Sequence, residues 1–206
     1  MISDNFLEVP MRDVELQSLK PVFGPLGLGA QPLVWKIAAV FAGTGLLALS
    51  SYIQVPMVPV PITMQTFAVT LIGALYGWRL ATVTVIAWLV EGALGLPVLA
   101  GGSAGLHRFA GPTAGYLFAF PIAAALCGWL VERGWNGQRP LLSFLAMLIG
   151  NAACLVLGGM WLAAMIGPDK AISLGVTPFV VGAVLKSALG AAVLTLLARR
   201  ALQRRQ

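Results

Sequence analysis

Charge is what this sequence has least of. Lysine, arginine, aspartate and glutamate make up 10% of its 206 residues, where a soluble domain carries about a quarter. The apolar residues are 59% of the chain and gather in blocks of transmembrane length, so a water-soluble domain is excluded. Histidine occurs once and cysteine twice. Cys127 and Cys154 lie inside apolar runs with no CxxC spacing, and both read as small packing residues, not as a disulfide or metal site. No His/Cys/carboxylate cluster is present to hold a catalytic metal. A Walker motif ending in Gly-Lys-Ser/Thr is missing, which excludes ATP binding by that route. So is an HExxH helix, and acids in the apolar blocks are too few for a proton relay. The pattern is that of a protein that binds a molecule without transforming it, and neither catalytic residues nor a cofactor are expected.

What is present is a series of six apolar stretches, at residues 33–54, 62–78, 80–99, 114–132, 141–166 and 176–198. Crossing the hydrocarbon core takes about 20 helical residues, so an all-α membrane protein with six transmembrane helices is predicted. The second stretch is short and must be tilted, broken or sheltered by its neighbours. Three regions follow: a tail over 1–32, a six-helix membrane domain over 33–198 and a basic tail over 199–206. The first thirty residues have no basic start followed by an apolar run, so they are expected to be a cytosolic tail and not a secretory signal. With the N-terminus inside, the cytoplasmic side receives Arg12, Lys20, Lys36, Arg79, Arg133, Arg139 and the four arginines of 199–205, while the outer side receives Arg108 and Lys170. That asymmetry places both termini in the cytoplasm. It also accounts for the excess of basic residues without nucleic acid.

Two outer segments are unusual. Val55-Pro56-Met57-Val58-Pro59-Val60-Pro61 is an uncharged strap with three prolines, stiff because each proline fixes φ and removes a donor. Ala100-Gly101-Gly102-Ser103-Ala104-Gly105 is glycine-rich, as a tight turn or a close approach to ligand requires. It leads through His107 and Arg108 to Gly111-Pro112-Thr113. Pro59 and Pro61 of the strap, with Gly101 and Gly102 of the loop, are expected to close as a lid over a ligand. On the first helix Ala38 and Ala42 are four apart, as are Ala39 and Gly43; such faces let another helix approach closely, whether inside the bundle or in a partner.

Two ionisable residues sit where the bilayer penalises them. Glu91 in the third stretch and Lys186 in the sixth each cost at least about 2.5 kcal/mol unless paired or wetted. They either pair with one another or line a polar cavity. Thr63, Gln65, Trp88, Arg108, Tyr116 and Asn151 are the other polar or amphipathic candidates, and together they describe an apolar pocket with a few directed donors and acceptors.

Several motifs carry a family resemblance. The run Pro59-Val60-Pro61-Ile62-Thr63-Met64-Gln65-Thr66 resembles the signature after the first helix of the BioY family. Gly95-Leu96-Pro97-Val98 with Gly101-Gly102, Gly111-Pro112-Thr113-Ala114-Gly115-Tyr116, Gly150-Asn151 and Lys186 follow in matching order, and the resemblance covers residues 33–198. It implies a biotin-specific S component of an energy-coupling factor (ECF) transporter in the bacterial inner membrane. Such a protein has six helices and an extracytoplasmic pocket, and it docks onto a transmembrane coupling protein attached to two ATPases. Ala38 and Ala42 match the family's docking element.

The sequence departs from the family at one position. Members commonly carry Pro-Gly-Asp three residues before the sixth-helix lysine, where the Asp meets the ligand, and here Val181-Gly182-Ala183 precedes Lys186. Glu91, jointly with Lys186, is expected to replace the lost acceptor; Asn151, Gln65 or a backbone carbonyl are the alternatives. A solitary biotin carrier, an S component for a related small vitamin, and an intramembrane enzyme using Glu91 and Lys186 as acid and base remain competing readings.

Overall fold

The computed structural model describes residue 28 and residues 31–203; most of the expected N-terminal tail and the last three residues of the basic tail lie outside the described residues. Proline marks three helix starts. Pro32 precedes α1 (Leu33–Tyr52), Pro140 opens α5 (Pro140–Ile166) and Pro168 opens α6 (Pro168–Gln203). At these positions the missing N–H would have had no intrahelical partner. Between α1 and α5 run α2 (Gln65–Tyr76), α3 (Trp78–Ala93) and α4 (Ala114–Glu132).

Among the described residues six helices thus fall on the six apolar stretches, with three differences. The third helix ends at Ala93, not near residue 99, because Gly95 (φ 102°) and Pro97 take the chain out of helical conformation. α6 begins at Pro168, earlier than expected, and passes through a π turn over Ile172–Val176. The strap is not a free extended segment: β1 (Gln54–Val55) pairs antiparallel with β2 (Ile62–Thr63), in the register Gln54 to Thr63 and Val55 to Ile62. The described residues are therefore helical except for loops and this small ribbon, which an all-α reading omits.

Among the described residues four helices, α1, α4, α5 and α6, are long and apolar enough to cross a membrane. α2 has 12 residues, of which eight are buried, so it is sheltered by its neighbours as its length demands. α4 lies at the centre, packed on α2, α3 and α5. Its inward positions are small: Ala119, Ala123, Ala124, Cys127 and Gly128 are buried, and small side chains let helix backbones meet closely. The outer faces are apolar instead of charged, with Phe41 and Leu49 of α1 and Val181 and Leu185 of α6 all about two-thirds exposed or more. A surface of that kind belongs against lipid.

The small residues of α1 divide between two faces. A Cβ at Gly43 would lie 2.5 Å from the Thr84 methyl, and the Tyr76 hydroxyl donates to the Ala39 carbonyl at 2.9 Å. Ala39 and Gly43 therefore serve internal packing against α2 and α3. Ala38 and Ala42 are exposed on another face, and beside them a Cβ at Gly45 would meet nothing.

Candidate functional site

A cavity of about 290 Å³ opens where the strap, the 99–113 loop, the first turns of α2 and α4 and the middle of α5 and α6 converge. Ligand pockets run from about 300 Å³ upward, so it suits one small molecule. Helical spacing explains most of its lining. Thr113, Tyr116, Leu117 and Phe120 repeat along α4 at intervals of three and four; Asn151, Cys154 and Leu155 do so on α5, and Phe179, Ala183 and Lys186 on α6. Each set is one face of one helix.

The polar groups are held by bonds to the protein. Lys186 Nζ donates to the Thr63 carbonyl and, at 3.1 Å, to Thr66 Oγ1. Thr63 Oγ1 donates to Gln65 Oε1 at 3.0 Å, and Gln65 Nε2 donates to Ser51 Oγ at 2.9 Å. The chain leaving the ribbon is thereby fastened to α1 and α6. Asn151 Nδ2 donates to the Met147 carbonyl at 3.0 Å and to Ser187 Oγ at 3.1 Å. A backbone carbonyl only accepts, so this pair fixes the amide's orientation. Among the described residues nothing bonds Asn151 Oδ1, which is left as an acceptor at the cavity wall. Tyr116 donates its hydroxyl to the Gly175 carbonyl at 2.7 Å, tying α4 to the π turn, and stacks on Phe179 with ring centroids 6.2 Å apart.

Of the residues singled out in the sequence, Thr63, Gln65, Arg108, Tyr116, Asn151, Lys186, Pro59 and Pro61 line the cavity. Four do not. Trp88 is fully buried behind it, its indole N–H donating to the Val98 carbonyl at 3.0 Å and its ring 5.9 Å from Phe120. Glu91 lies in the last turn of α3, since the helix ends two residues later. It is at a helix end, and it does not reach the cavity or Lys186. Gly101 (φ 64°) and Gly102 (φ 74°) form a tight turn seated on the ribbon base and α1, where added Cβ atoms would meet the Gln54 amide and the Tyr52 ring. Their neighbours Ala100 and Ser103 face the cavity instead.

Sequence reasoning did not single out Gln54, Phe179 or Cys154, which also line it. The helical intervals to Lys186 and Asn151 were the available signal for the last two. Gly101-Gly102-Ser103-Ala104-Gly105 spells the letters of a G-x-S-x-G elbow. Its Ser103 bridges back to Leu99 within a loop, not between a strand and a helix, so the strained turn that activates such a serine is not built.

Arg108 is exposed on the short helical turn Leu106–Phe109 at the cavity's rim. Among the described residues, Arg108 and Lys186 are the charged ones of the lining, which holds no acid. Apolar helices around a mostly apolar cavity with a few fixed polar groups, roofed by irregular backbone, define a membrane protein with a site sized for one small molecule. The particular family follows from comparison with known proteins. The chain belongs to the BioY family, whose model matches residues 21–204. It is 37% identical over 153 residues to a probable biotin transporter BioY of Pyrococcus horikoshii, covering 74% of this chain and 90% of that one. It is 38% identical over 162 residues to a biotin transporter BioY of Rhizobium etli, covering 75% and 84%. A crystal structure of the S component for biotin from an ECF-type ABC transporter superposes with a TM-score of 0.72 at 25% identity, covering 82% of this chain and 95% of that one.

Proposed function

We propose that this protein captures biotin in the cavity from the extracytoplasmic side and hands it to an ATP-driven coupling module. The observation that carries this reading is the lining itself, two cations without an acid beside a fixed amide acceptor. Biotin presents a carboxylate, a ureido carbonyl that accepts, and two ureido N–H groups that donate. Lys186 donates to the ureido carbonyl, and Asn151 Oδ1 accepts from a ring N–H in the role expected of Glu91. Phe120, Tyr116 and Phe179 contact the apolar part of the ligand. Arg108, at the exposed rim, meets the carboxylate. The strap and the 99–113 loop cover the bound molecule.

In this reading six helices sit in the bacterial inner membrane with both termini cytoplasmic, the two short helices sheltered by the long ones. Ala38 and Ala42, exposed on α1, dock a transmembrane coupling protein that carries two ATPases. Equilibrium binding of radiolabelled biotin to the purified full-length protein tests the function. Saturable binding displaced by unlabelled biotin is expected; absence of displaceable binding overturns the reading.

A further inference from the structure

The end of the bundle away from the cavity carries a charge pattern that ligand capture does not use. We propose that Arg79 and Arg133 form a binding site for the headgroup phosphate of an anionic phospholipid. Each guanidinium is laid on an indole: Arg133 Cζ is 3.7 Å from the Trp129 ring centroid, and Arg79 Cζ is 5.2 Å from that of Trp78. Cation–π attraction of this kind holds an arginine in place and leaves its edge donors free. The two pairs are neighbours. Glu132 Oε1 accepts the Trp78 backbone N–H at 3.2 Å, and a Cβ at Gly128 would lie 2.6 Å from that same nitrogen. Among the described residues Glu132 is the one acid at this end, since Glu91 and Asp169 lie toward the cavity. Its carboxylate is turned to the start of α3, and among the described residues no hydrogen bond is made by either guanidinium.

The apolar residues beneath the arginines favour a lipid over a soluble anion. On α3, Arg79 is followed at intervals of three and four by Val83, Ile86 and Val90, which are 56%, 47% and 49% exposed. On α4, Arg133 is preceded by Trp129, Ile122 and Phe118, which are 41%, 47% and 51% exposed. Such intervals place each set along one stripe of its helix. Each stripe thus has a guanidinium at its head and apolar side chains below, as a phospholipid has a phosphate above acyl chains. Exposed tryptophans at this level suit the membrane interface. The inference rests on the proposed orientation, which puts these residues at the cytoplasmic leaflet, where anionic lipid attracts basic residues.

Native mass spectrometry of the full-length protein released from micelles containing equal phosphatidylglycerol and phosphatidylcholine tests the site. Preferential retention of phosphatidylglycerol is expected. An Arg79→Gln/Arg133→Gln double variant should lower that retention by about tenfold, while Arg199→Gln/Arg200→Gln should change it little. Equal retention of the two lipids by the wild type overturns the proposal. So does an equal loss in the Arg199/Arg200 variant, which would indicate diffuse surface charge. Displacement of the lipid by glycerol 3-phosphate would point to a soluble anion instead, and intact retention with lost coupling-protein assembly to a protein partner; either result overturns it. Biotin binding is measured on the same preparations. Its absence in the wild type would count against the vitamin reading alone, leaving the lipid result to stand or fall by itself.

Discussion

At the cavity end the chain leaves regular helix for long stretches between Tyr52 and Gln65 and between Ala93 and Ala114, with Gly167 alone joining α5 to α6, whereas at the opposite end Gly77 alone separates α2 from α3 and the short segment 133–139 joins α4 to α5. The polar groups of the two ends differ in the same sense. Around the cavity Thr63, Gln65, Tyr116 and Asn151 are held by hydrogen bonds to protein atoms. At the far end the arginines lie exposed on indole faces. Irregular backbone inside a membrane is tolerated only where it is buried in protein or lines a cavity, so long loops gather where there is a site to roof. The end without a cavity has no such need, and in the proposed orientation its charges face the headgroups. Bonds made in advance also lower the cost of ordering the site when a ligand arrives.

The sharpest way to break this contrast is at Lys186. Its ammonium is already aimed by the Thr63 carbonyl and Thr66, and hydrogen bonds involving a charged group are worth about 1.5–3 kcal/mol. Lys186→Met is expected to weaken biotin by about ten- to a hundredfold in equilibrium binding. Unchanged affinity would remove Lys186 from the site. Next in size is Asn151→Ala, which deletes the fixed acceptor and is expected to cost about tenfold. Glu91→Gln should leave affinity within about twofold, because its side chain does not reach the cavity and surface changes of this kind are small. A large loss in Glu91→Gln with none in Asn151→Ala would restore the sequence-based expectation.

Glu91 also shows where sequence ceased to be informative. An ionisable residue in an apolar run reads as costly when the run is continuous, and the third stretch reads as apolar to residue 99. Gly95 and Pro97 end the helix early, so the charge comes out at a helix end. Trp88 misled for a related reason. Its position one turn before Glu91 was legible, but not that its N–H would be satisfied by the Val98 carbonyl. The helices themselves were legible because an apolar block of about 20 residues has one physical explanation. The ribbon at Gln54–Val55 and Ile62–Thr63 was not, because two-residue strands leave no periodicity to read. Lys186, Asn151 and Tyr116 could be picked out because each is a polar or amphipathic group in an apolar run. Phe179 and Cys154 could not, being unremarkable among apolar residues until helical intervals relate them to the polar ones.

An effect comparable to that of Asn151→Ala, read on assembly instead of on affinity, should separate the two faces of α1. Ala42→Leu adds bulk to an exposed face, and assembly with the coupling protein is expected to weaken by about tenfold while biotin binding stays intact. Gly43→Leu adds bulk where a Cβ would already press on Thr84, so thermal stability and biotin binding should both fall. Pull-down of the coupling protein and a binding isotherm on each variant distinguish the outcomes. Loss of biotin binding in Ala42→Leu would assign both faces to internal packing.

Apart from the near-silent Glu91→Gln, the smallest expected change is a gain. Ala183 lines the cavity on the same face of α6 as Lys186, three residues away, and its carbonyl accepts from Ser187 Oγ at 2.7 Å. Ser187 in turn accepts from Asn151 Nδ2, so position 183 lies close to the amide that holds the free acceptor. Ala183→Asp would add a carboxylate to a lining that has two cations and no acid. That carboxylate offers a second acceptor to the ureido N–H groups, which strengthens binding. It also attracts Lys186, three residues on and so on the same helix face, which draws the ammonium from the ureido carbonyl and weakens binding. A single added hydrogen bond contributes about 0.5–1.5 kcal/mol net, and the competing pair removes part of it. The expected outcome is a two- to fivefold increase in biotin affinity, about 0.4–1 kcal/mol, with the larger gain in an Asn151→Ala background where the acceptor is missing. If Ala183→Asp weakens binding in both backgrounds, the ammonium matters more as a donor to ligand than the carboxylate does as an acceptor, and the acceptor role belongs to Asn151 alone.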